Sequence, residues 1–256
     1  MTLLDASRFL APKIEHHISL ASTNDEAMRH ARQGHPGGIW ITADEQTGGR
    51  GRTGRTWHSP PGNLHASLLL IDPCPVGQTP ELGFVAGVAL AQALRAALGG
   101  DEQLKIKWPN DMLHGGAKLS GLMLEGTQLA SGRFAVVIGI GVNCLHHPGN
   151  LAYPATSLAR ITGHDVPAAE ILARLASSMN FWLGHYAQGR NFAQIRTNWL
   201  AMAAGIGEPI EIATGGHHVQ GVFSTIDEFG RLIVATPDGT RTLAAGDVFL
   251  NSPPKP

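Results

Sequence analysis

The chain has 256 residues, of which 43% are hydrophobic and 15% are charged, and its formal net charge is −1. This length and composition predict one large domain, or a large domain followed by a small one, with a substantial core. The near-neutral charge argues against a protein that binds nucleic acid through its overall charge.

The remaining bulk features predict a protein of the cytoplasm. Cys74 and Cys144 lie far apart and form no metal-ligand pattern, so we expect reduced thiols. The 13 histidines include three adjacent pairs, none with the helical spacing of a zinc site. The N terminus, Met1 to Lys13, lacks the basic and apolar segments of a signal peptide. The most apolar stretch, 84–98, is interrupted by polar residues and predicts no membrane span.

The first third of the chain alternates between short strands and one helix. Thr23 followed by Glu26 has the spacing of a capping box, which predicts a helix that ends near Gln33 before Gly34. The apolar segments around it predict strands at Ile18–Ala21, Ile39–Ala43 and Leu64–Ile71.

The middle of the chain predicts a buried helix and a hairpin. The segment Leu82–Leu98 is apolar on nearly every face and is followed by two glycines, so it predicts a buried helix. Strands are predicted at Leu104–Trp108, Lys118–Glu125 and Phe134–Ile140, with a turn at His114–Ala117. Strands joined by short turns, with few helices between them, predict an α+β fold with a mixed or antiparallel sheet.

The last third predicts two helices and then a small strand-rich domain. The helices are predicted at Ala168–Tyr186 and Asn191–Ala203, and Gly205–Pro209 has the composition of a boundary. We therefore divide the chain into domains 1–205 and 206–256. Short strands are predicted at Ile210–Ile212, Val219–Ile226, Leu232–Thr236 and Arg241–Phe249, and so many strands in one short segment predict a small barrel.

Between two predicted strands lies a segment rich in glycine and arginine, Gln46 to Trp57, with the sequence QTGGRGRTGRTW. Glycine carries a large ordering cost, so this segment is predicted to be a mobile loop. Guanidinium groups suit carboxylate or phosphate oxygens, and glycines let backbone N–H groups approach the same anion. The pattern predicts an anion-binding loop, with a solvated basic surface loop or an RNA-binding segment as the alternatives.

Two further segments carry polar residues that suit phosphate chemistry. Asn110 and Asp111 follow a strand broken by proline, and the hairpin should hold Lys118 near Asp111. Asp111 can hold Mg²⁺ on phosphates, and Lys118 can stabilise negative charge on a transferring group. The simpler alternatives are a cross-strand ion pair for Lys118 and Asp111 and a β-bulge for Gly139 and Gly141.

Three common catalytic motifs do not account for the sequence. The chain contains no G-x-x-x-x-G-K-[ST] segment, so it is not a P-loop enzyme. The glycine–arginine run has the G-x-G-x-x-G spacing at Gly49–Gly54, but no helix is predicted directly after it, as a dinucleotide fold requires. No G-x-S-x-G segment marks a catalytic serine.

Five segments in succession resemble the motifs of biotin–protein ligases, also called biotin–[acetyl-CoA-carboxylase] ligases. They are Ser22–Asn24, Gln46–Trp57, Lys107–Asp111, Lys118–Gly121 and Gly139–Asn143. The strand-rich C-terminal segment is similar to the SH3-like barrel that ends bacterial members, so the resemblance covers nearly the whole chain.

The resemblance implies a two-step reaction with ATP and biotin as substrates and Mg²⁺ as cofactor. Biotin attacks the α-phosphate of ATP and gives biotinyl-5′-AMP, and a lysine of a biotin carboxyl carrier domain then takes the biotin. The catalytic residues implied are Lys118, Arg52 and Asp111. The implied biotin contacts are Ser22, Thr23, Asn24, Gln46, Arg50, Gly51, Arg52, Lys118, Gly121 and Gly139. The implied ATP contacts are Arg52, Arg55, Trp57, Lys107, Asn110, Asp111, Lys118 and Asn143.

Two features of the chain depart from the family pattern. Thr53 stands where the loop often has a second arginine, which puts a secondary contact in doubt. Some bacterial members begin with a DNA-binding domain, whereas here the Ser22–Asn24 motif comes almost at once. The resemblance therefore implies a stand-alone ligase that binds neither DNA nor a membrane, and it leaves a homodimer open.

Two other functions remain open at this point. A lipoate–protein ligase or octanoyltransferase belongs to the same fold group, although the arginine loop and the K-W-P-N-D run resemble the biotin branch. A non-catalytic nucleic-acid-binding module can also use a basic loop, although the near-neutral charge argues against it.

Overall fold

A computed structural model of the chain describes residues 12–149 and 153–250. We predict that the N terminus carries no signal peptide. Residues 1–11 of that segment lie outside the described residues. Within the described part of the chain, no helix has both the length and the apolar character that crossing a membrane requires.

The larger part of the fold is a mixed sheet of seven strands, in the order β1-β2-β3-β7-β6-β5-β4. Strands β1 and β2 pair in parallel, and the other neighbours pair antiparallel. This arrangement confirms the α+β prediction. The strands are β1 (Lys13–Leu20), β2 (Ile39–Gln46), β3 (Leu64–Ile71), β4 (Leu104–Lys107), β5 (Asp111–His114), β6 (Ala117–Gln128) and β7 (Phe134–Val142).

Helices cover both faces of this sheet. One face packs against α1 alone, and the other packs against α2, α4 and α5 in the larger hydrophobic core. The helices are α1 (Thr23–Arg32), α2 (Glu81–Ala97), α3 (Leu158–Thr162), α4 (Ala168–Tyr186) and α5 (Phe192–Ala201). The short α3 was not predicted.

Alternation along the central strands separates the core from an open face. On β3, Leu64, Ala66 and Leu68 point into the larger core, so the residues between them point to the opposite face. Those residues include His65 and Ser67, which are polar and buried. Because α1 covers only part of that face, the rest of it is free to form a cleft.

The start of α1 differs from the predicted capping box. Ser22 is the N-cap, and its hydroxyl oxygen accepts from the Asp25 N–H at 3.3 Å. Thr23 is instead the first helical residue, and its hydroxyl donates to the Gln46 side-chain oxygen at 3.1 Å. The Thr23 hydroxyl, which the spacing predicts to cap the helix, thus makes a tertiary hydrogen bond to Gln46 instead.

The C-terminal strands form a separate antiparallel sheet, in the order β11-β10-β9-β8-β12. The prediction of a single strand at Arg241–Phe249 is wrong, because residues 244–246 leave the sheet and divide the segment in two. Whether the sheet closes as an SH3-like barrel stays a prediction. The strands are β8 (Pro209–Thr214), β9 (His217–Ile226), β10 (Leu232–Thr236), β11 (Gly239–Leu243) and β12 (Asp247–Leu250).

Hydrogen bonds from Trp108 and from helix α5 join this sheet to the rest of the fold. The Trp108 indole N–H donates to the Gly230 carbonyl at 3.0 Å, and the Arg196 guanidinium donates to the Ile226 carbonyl at 2.8 Å. Trp108 is only 2% exposed, so it is a core residue as well as a neighbour of the predicted site. These bonds fix the C-terminal strands beside β4 and β5.

A buried carboxyl at the start of α2 makes the stability of the fold depend on pH. Glu81 is 5% exposed and accepts a hydrogen bond from the Tyr186 hydroxyl at 2.8 Å. Burial raises the pKa of Glu81 above its ordinary value of 4.5, although the Tyr186 hydrogen bond opposes the shift. The folded state therefore binds this proton more tightly than the unfolded state.

We predict that protonated Glu81 contributes to the free energy of unfolding. This contribution is fully present below pH 4.5 and is lost as the pH rises through the pKa of Glu81 in the folded state. Glu81→Gln keeps the acceptor but removes the titration. Urea unfolding of both proteins is measured from pH 4.5 to 8. The free energy of unfolding of the variant should rise relative to that of the parent as the pH increases. The control Glu170→Gln removes an exposed carboxylate from α4. A constant difference between parent and Glu81→Gln would show that burial of the charge is not the cause.

Candidate functional site

A cleft of about 540 Å³ opens on the face of the large sheet that α1 only partly covers. Its walls are the N terminus of α1, the glycine–arginine loop, the β5–β6 hairpin and strand β12. The cleft therefore lies between the two sheets and is built from segments that are far apart in the sequence.

All but one of the predicted site residues line this cleft. The exception is Asn143, which is 3% exposed and donates its amide to the Thr156 carbonyl at 3.0 Å. It supports the segment behind the cleft, and its contact with a nucleotide stays a prediction. The predicted residues that line the cleft are Ser22, Thr23, Asn24, Gln46, Arg50, Gly51, Arg52, Arg55, Trp57, Lys107, Asn110, Asp111, Lys118, Gly121 and Gly139.

Glycines on the central strands form the floor of the cleft. The β3–β7 and β6–β7 registers run without a shift through Gly139 and Gly141, so the predicted bulge is wrong. A Cβ atom on Gly139 would overlap the Asn24 amide, and one on Gly141 would lie 2.5 Å from the Trp57 ring. These glycines are needed because the two side chains lie directly on the sheet.

A polar network lines the end of the cleft next to α1. The Gln46 side-chain oxygen accepts from the Thr23 N–H at 2.9 Å, and the Gln46 amide donates to Ser59 at 3.0 Å. The Asn24 amide donates to Glu125 at 2.6 Å, and its oxygen lies 2.6 Å from the Ser67 hydroxyl. This end is therefore polar, rigid and almost without net charge, which suits a neutral polar ligand.

The other end of the cleft holds two lysines on one carboxylate. Asp111 is 7% exposed, and its two oxygens lie 2.7 Å from Lys118 Nζ and 3.2 Å from Lys107 Nζ. The predicted closeness of Lys118 and Asp111 is confirmed, and so is the ion pair between them. Since a single carboxylate faces two ammonium groups, this end keeps an excess of positive charge.

Aromatic rings lie on either side of the Lys118 ammonium group. Its Nζ atom is 5.6 Å from the centre of the Trp57 ring and 5.5 Å from that of Tyr153. Both distances lie within the range of cation–π attraction. Burial and then the nearby Asp111 charge raise the pKa of Tyr153, so its hydroxyl stays protonated. The two rings hold the ammonium in a narrow position above the floor.

The arginines of the loop point in different directions. Arg50 pairs with Asp25 on α1 through two hydrogen bonds of 2.8 and 2.6 Å. The hydrogen bond from Arg50 lowers the pKa of Asp25, and the same bond raises the pKa of Arg50. This pair anchors the first half of the loop to the helix whose N terminus lines the cleft.

The second half of the loop reaches the C-terminal sheet. Arg52 donates to the Asn110 side-chain oxygen at 3.1 Å and to the Gly246 carbonyl at 3.3 Å. Arg55 pairs with Asp247 at 2.9 Å. Between them Thr53 adopts a left-handed backbone conformation with φ of 56°. These contacts make the loop a bridge across the mouth of the cleft.

Two buried polar atoms of cleft residues have no hydrogen-bond partner among the described residues. They are Trp57 Nε1 and His65 Nδ1. His65 Nε2 lies 3.1 Å from the Pro60 carbonyl, which can only accept, so we assign the ring proton to Nε2. Burial lowers the pKa of His65, so the ring is neutral and Nδ1 is an acceptor. One donor and one acceptor beside the cleft are thus buried without a partner in the described part of the chain.

Both carboxylates that line the cleft are paired with cations. Both oxygens of Asp111 contact ammonium groups, and Asp247 Oδ1 contacts Arg55 and lies 3.7 Å from Arg52. Proteins usually hold Mg²⁺ with one or two carboxylates together with substrate phosphates and water. Asp111 positions two lysines in this structure, and its role as a Mg²⁺ ligand stays a prediction.

Several cleft residues were missed by sequence reasoning. His65 had a detectable signal, because strict alternation on β3 places it on the same face as Ser67. No local pattern in the sequence marks Tyr153 or Asp247. Tyr153 joins the cleft through its contact with Lys118 and Asp247 through its contact with Arg55, and both partners are distant in sequence.

Comparisons with known proteins agree with this geometry. Residues 18–143 match the model of the biotin/lipoate A/B protein ligase family, and residues 205–251 match that of the biotin protein ligase C terminal domain. The division of the chain into domains 1–205 and 206–256 stays a prediction.

Individual relatives extend these matches over most of the chain. A biotin–[acetyl-CoA-carboxylase] ligase of Paracoccus denitrificans is 41% identical over 233 residues, which are 89% of this chain and 96% of that protein. The bifunctional ligase/repressor BirA of Bacillus subtilis is 33% identical over 92% of this chain and 73% of its own length.

A solved structure shares the fold. The biotin protein ligase from Aquifex aeolicus in complex with biotin and ATP superposes with a TM-score of 0.79 at 25% identity. The superposition covers 93% of this chain and 98% of that one. From its family matches and from the relative that is 41% identical, this chain belongs to the biotin–protein ligases within the biotin/lipoate A/B protein ligase family.

Proposed function

We propose that this chain joins biotin to ATP to form biotinyl-5′-AMP and then transfers the biotin to a lysine of a biotin carboxyl carrier protein. The observation that carries the proposal is the pairing of Lys118 and Lys107 on Asp111 at one end of a cleft whose other end is polar and uncharged. Such a cleft suits a ligand with a neutral polar head and an anionic tail that meets a phosphate.

In the first step, a carboxylate oxygen of biotin attacks the α-phosphorus of ATP. A new P–O bond forms, the bond to the oxygen that bridges the α- and β-phosphorus atoms breaks, and pyrophosphate leaves with that electron pair. Two anions must approach one another, so the main barrier is electrostatic. Lys118, Lys107 and Arg52 surround the meeting point and lower that barrier without any covalent intermediate on the protein.

In the second step, a neutral lysine amine of the carrier attacks the acyl carbon of biotinyl-AMP. The C–N bond forms, the C–O bond to AMP breaks, and the amine loses a proton. The acyl phosphate bond is open to water, so the cleft must remain covered between the two steps. Arg52 and Arg55 supply that cover, because they tie the loop to residues 246–247 on the opposite wall.

We assign the biotin head to the polar end of the cleft. Thr23, Asn24 and Gln46 are fixed there by hydrogen bonds. The glycine floor leaves a shallow space for an apolar ring between that end and Lys118. Charge at one end and neutral donors at the other thus set a single orientation of the substrate.

The remaining partners stand as proposals. The resemblance implies Mg²⁺ with ATP, and an oxygen of Asp111 would hold the ion beside the phosphates, where it would neutralise phosphate charge. The particular carrier protein, a homodimer and a cytoplasmic location also stay predictions.

The test of the proposed function is mass detection of biotinyl-AMP from purified protein, biotin and Mg-ATP, followed by transfer to a carrier domain. A parallel reaction with lipoate separates the two branches of the family. Formation of the biotin adduct and of a biotinylated carrier supports the proposal. Activation of lipoate alone would assign the chain to the other branch, and binding of single-stranded nucleic acid without either adduct would contradict a ligase.

We predict that Lys118→Ala folds but slows the formation of biotinyl-AMP by roughly 100- to 1000-fold, because removal of one preorganised charge at a reacting group has an effect of this size. The measurement is pyrophosphate release in the presence of biotin. Lys105→Ala is the matched control, since Lys105 lies on β4 outside the cleft. Pyrophosphate release equal to that of the parent would remove Lys118 from the reaction.

We predict that Arg52→Gly releases biotinyl-AMP roughly 10- to 100-fold faster, because hydrogen bonds to charged groups contribute about 1.5–3 kcal/mol each. Escaped adenylate acylates lysines at random, so biotinylation of a bystander protein measures the effect. Arg133→Gly is the control, since this exposed arginine pairs with Asp72 away from the cleft. Retention of the adenylate as in the parent would exclude the covering role.

We predict that Gly139→Ala weakens biotin binding roughly 5- to 100-fold, because the added methyl displaces the Asn24 amide and leaves its buried partners unpaired. Isothermal titration calorimetry with biotin measures the change. Gly83→Ala is the control, since its added methyl would meet nothing closer than 3.7 Å. Equal affinities for both variants would show that the floor does not contact biotin.

A further inference from the structure

A second cluster of ligand-type side chains lies outside the cleft, between β1 and α1. Glu15 and His17 are two residues apart on β1, so both side chains point to the same face of the sheet. Glu26 and His30 are four residues apart on α1 and lie on one side of that helix. The strand and the helix thus present two carboxylates and two imidazoles to one another.

Three of these four residues have donor atoms close enough together to share a metal ion, and His30 adds a fourth donor near Glu15 and Glu26. Glu15 Oε1 lies 2.8 Å from His17 Nε2 and 3.2 Å from His30 Nε2, and His30 Nε2 lies 3.5 Å from Glu26 Oε1. Ligand atoms of Glu15, His17 and Glu26 all lie within 4.8 Å of one another. Zinc bonds of about 2.0–2.1 Å in a tetrahedron separate neighbouring ligand atoms by about 3.3–3.4 Å.

The burial of these side chains also suits a bound ion. His30 and Glu26 are 17% and 16% exposed, while Glu15 and His17 are about one-third exposed. An ion can therefore reach the cluster from solvent through Glu15 and His17, while Glu26 and His30 hold it from the buried side.

We propose that Glu15, His17, Glu26 and His30 form a binding site for Zn²⁺ or a similar divalent transition metal, separate from the ligase cleft. Two imidazoles among four ligands favour such an ion over Mg²⁺ or Ca²⁺, which take oxygen ligands. The ion crosslinks β1 to α1, whose first residue is Thr23 in the cleft. Its direct effect is to hold the helix against the edge of the sheet.

Arg29 occupies part of this position in the metal-free chain. Its Nε atom donates to Glu26 Oε2 at 2.9 Å, its Nη2 contacts Glu26 Oε1, and Nη2 lies 3.4 Å from His30 Nε2. The Arg29 side chain is 49% exposed, and an exposed pair at this spacing contributes little to stability. An ion therefore displaces Arg29 at small cost, and removal of Arg29 should tighten metal binding.

The experiment uses the untagged full chain after removal of metal with a chelator. Isothermal titration calorimetry measures the affinity for Zn²⁺, with Mg²⁺ as the comparison ion, and thermal unfolding is followed with and without Zn²⁺. The test variant is the double substitution His17→Ala with His30→Ala, and Arg29→Ala tests the competing cation. His16→Ala is the matched control, since His16 lies on β1 but faces Thr42 on the other side.

We expect one Zn²⁺ per parent chain, a rise in melting temperature with Zn²⁺, and at least a tenfold loss of affinity in the double variant. Arg29→Ala should bind several-fold more tightly, and His16→Ala should match the parent. Absence of Zn²⁺ binding by the parent, or equal affinity in the double variant, would overturn the proposal.

X-ray absorption of the Zn²⁺-loaded parent keeps the test decisive if the double variant does not fold. Two imidazole nitrogens at about 2.0–2.1 Å together with carboxylate oxygens are the expected ligands. Sulfur ligands, or a spectrum unchanged in His30→Ala alone, would place the ion elsewhere and contradict the site. Neither result depends on the ligase reaction, so the proposed function and the metal site are tested separately.

Discussion

The site depends on one carboxylate, Asp111, that holds the ammonium groups of Lys107 and Lys118 on its two oxygens. Two lysines at this distance repel one another, and burial makes the repulsion stronger because water no longer screens it. Asp111 neutralises only one of the two charges. The Val248 carbonyl accepts from Lys107, and the Trp57 and Tyr153 rings lie near Lys118, but none of these groups carries a negative charge, so this end of the cleft keeps a net positive charge that favours an anion. On the opposite wall, the single carboxylate of Asp247 likewise lies near two cations, Arg52 and Arg55. A chain of near-zero net charge therefore has a concentrated positive potential in one cleft.

One face of the large sheet has few large side chains near its middle, and this leaves room for the cleft. Strands β3, β6 and β7 fill the larger core with apolar side chains on one side, whereas on the other they carry glycine or small polar residues near the middle. Gly139 and Gly141 allow Asn24 and Trp57 to lie against the backbone, which makes the floor flat and leaves depth for a ligand. Because side chains alternate along a strand, the same segments build a dense core and an open cleft. The β3–β7 and β6–β7 registers run without a shift, whereas the β5–β6 register shifts between Met112 and Leu113, beside Lys118.

The sequence predicts the elements and contacts of this fold correctly where neighbouring residues determine the local structure. Strand Leu64–Ile71 and helix Ala168–Tyr186 have the predicted ends, and the hairpin brings Lys118 to Asp111 as its turn implies. Prediction failed where a distant contact wins over a local one. The Thr23 hydroxyl fits a capping box by spacing but donates a hydrogen bond to Gln46. Asp247 and Tyr153 join the site only through tertiary folding, so no local pattern marks them.

The central claim is that Asp111 acts by positioning two cations where biotin and ATP meet. The most direct measurement is biotin-dependent exchange of labelled pyrophosphate into ATP, compared between the parent and Asp111→Asn. The variant keeps the size of the side chain and removes the charge that holds both lysines. The account predicts exchange that requires biotin in the parent and falls at least roughly tenfold in the variant, since paired buried charges of this kind contribute several kcal/mol when one partner is removed. Exchange without biotin in the parent, or an undiminished rate in folded Asp111→Asn, would contradict it.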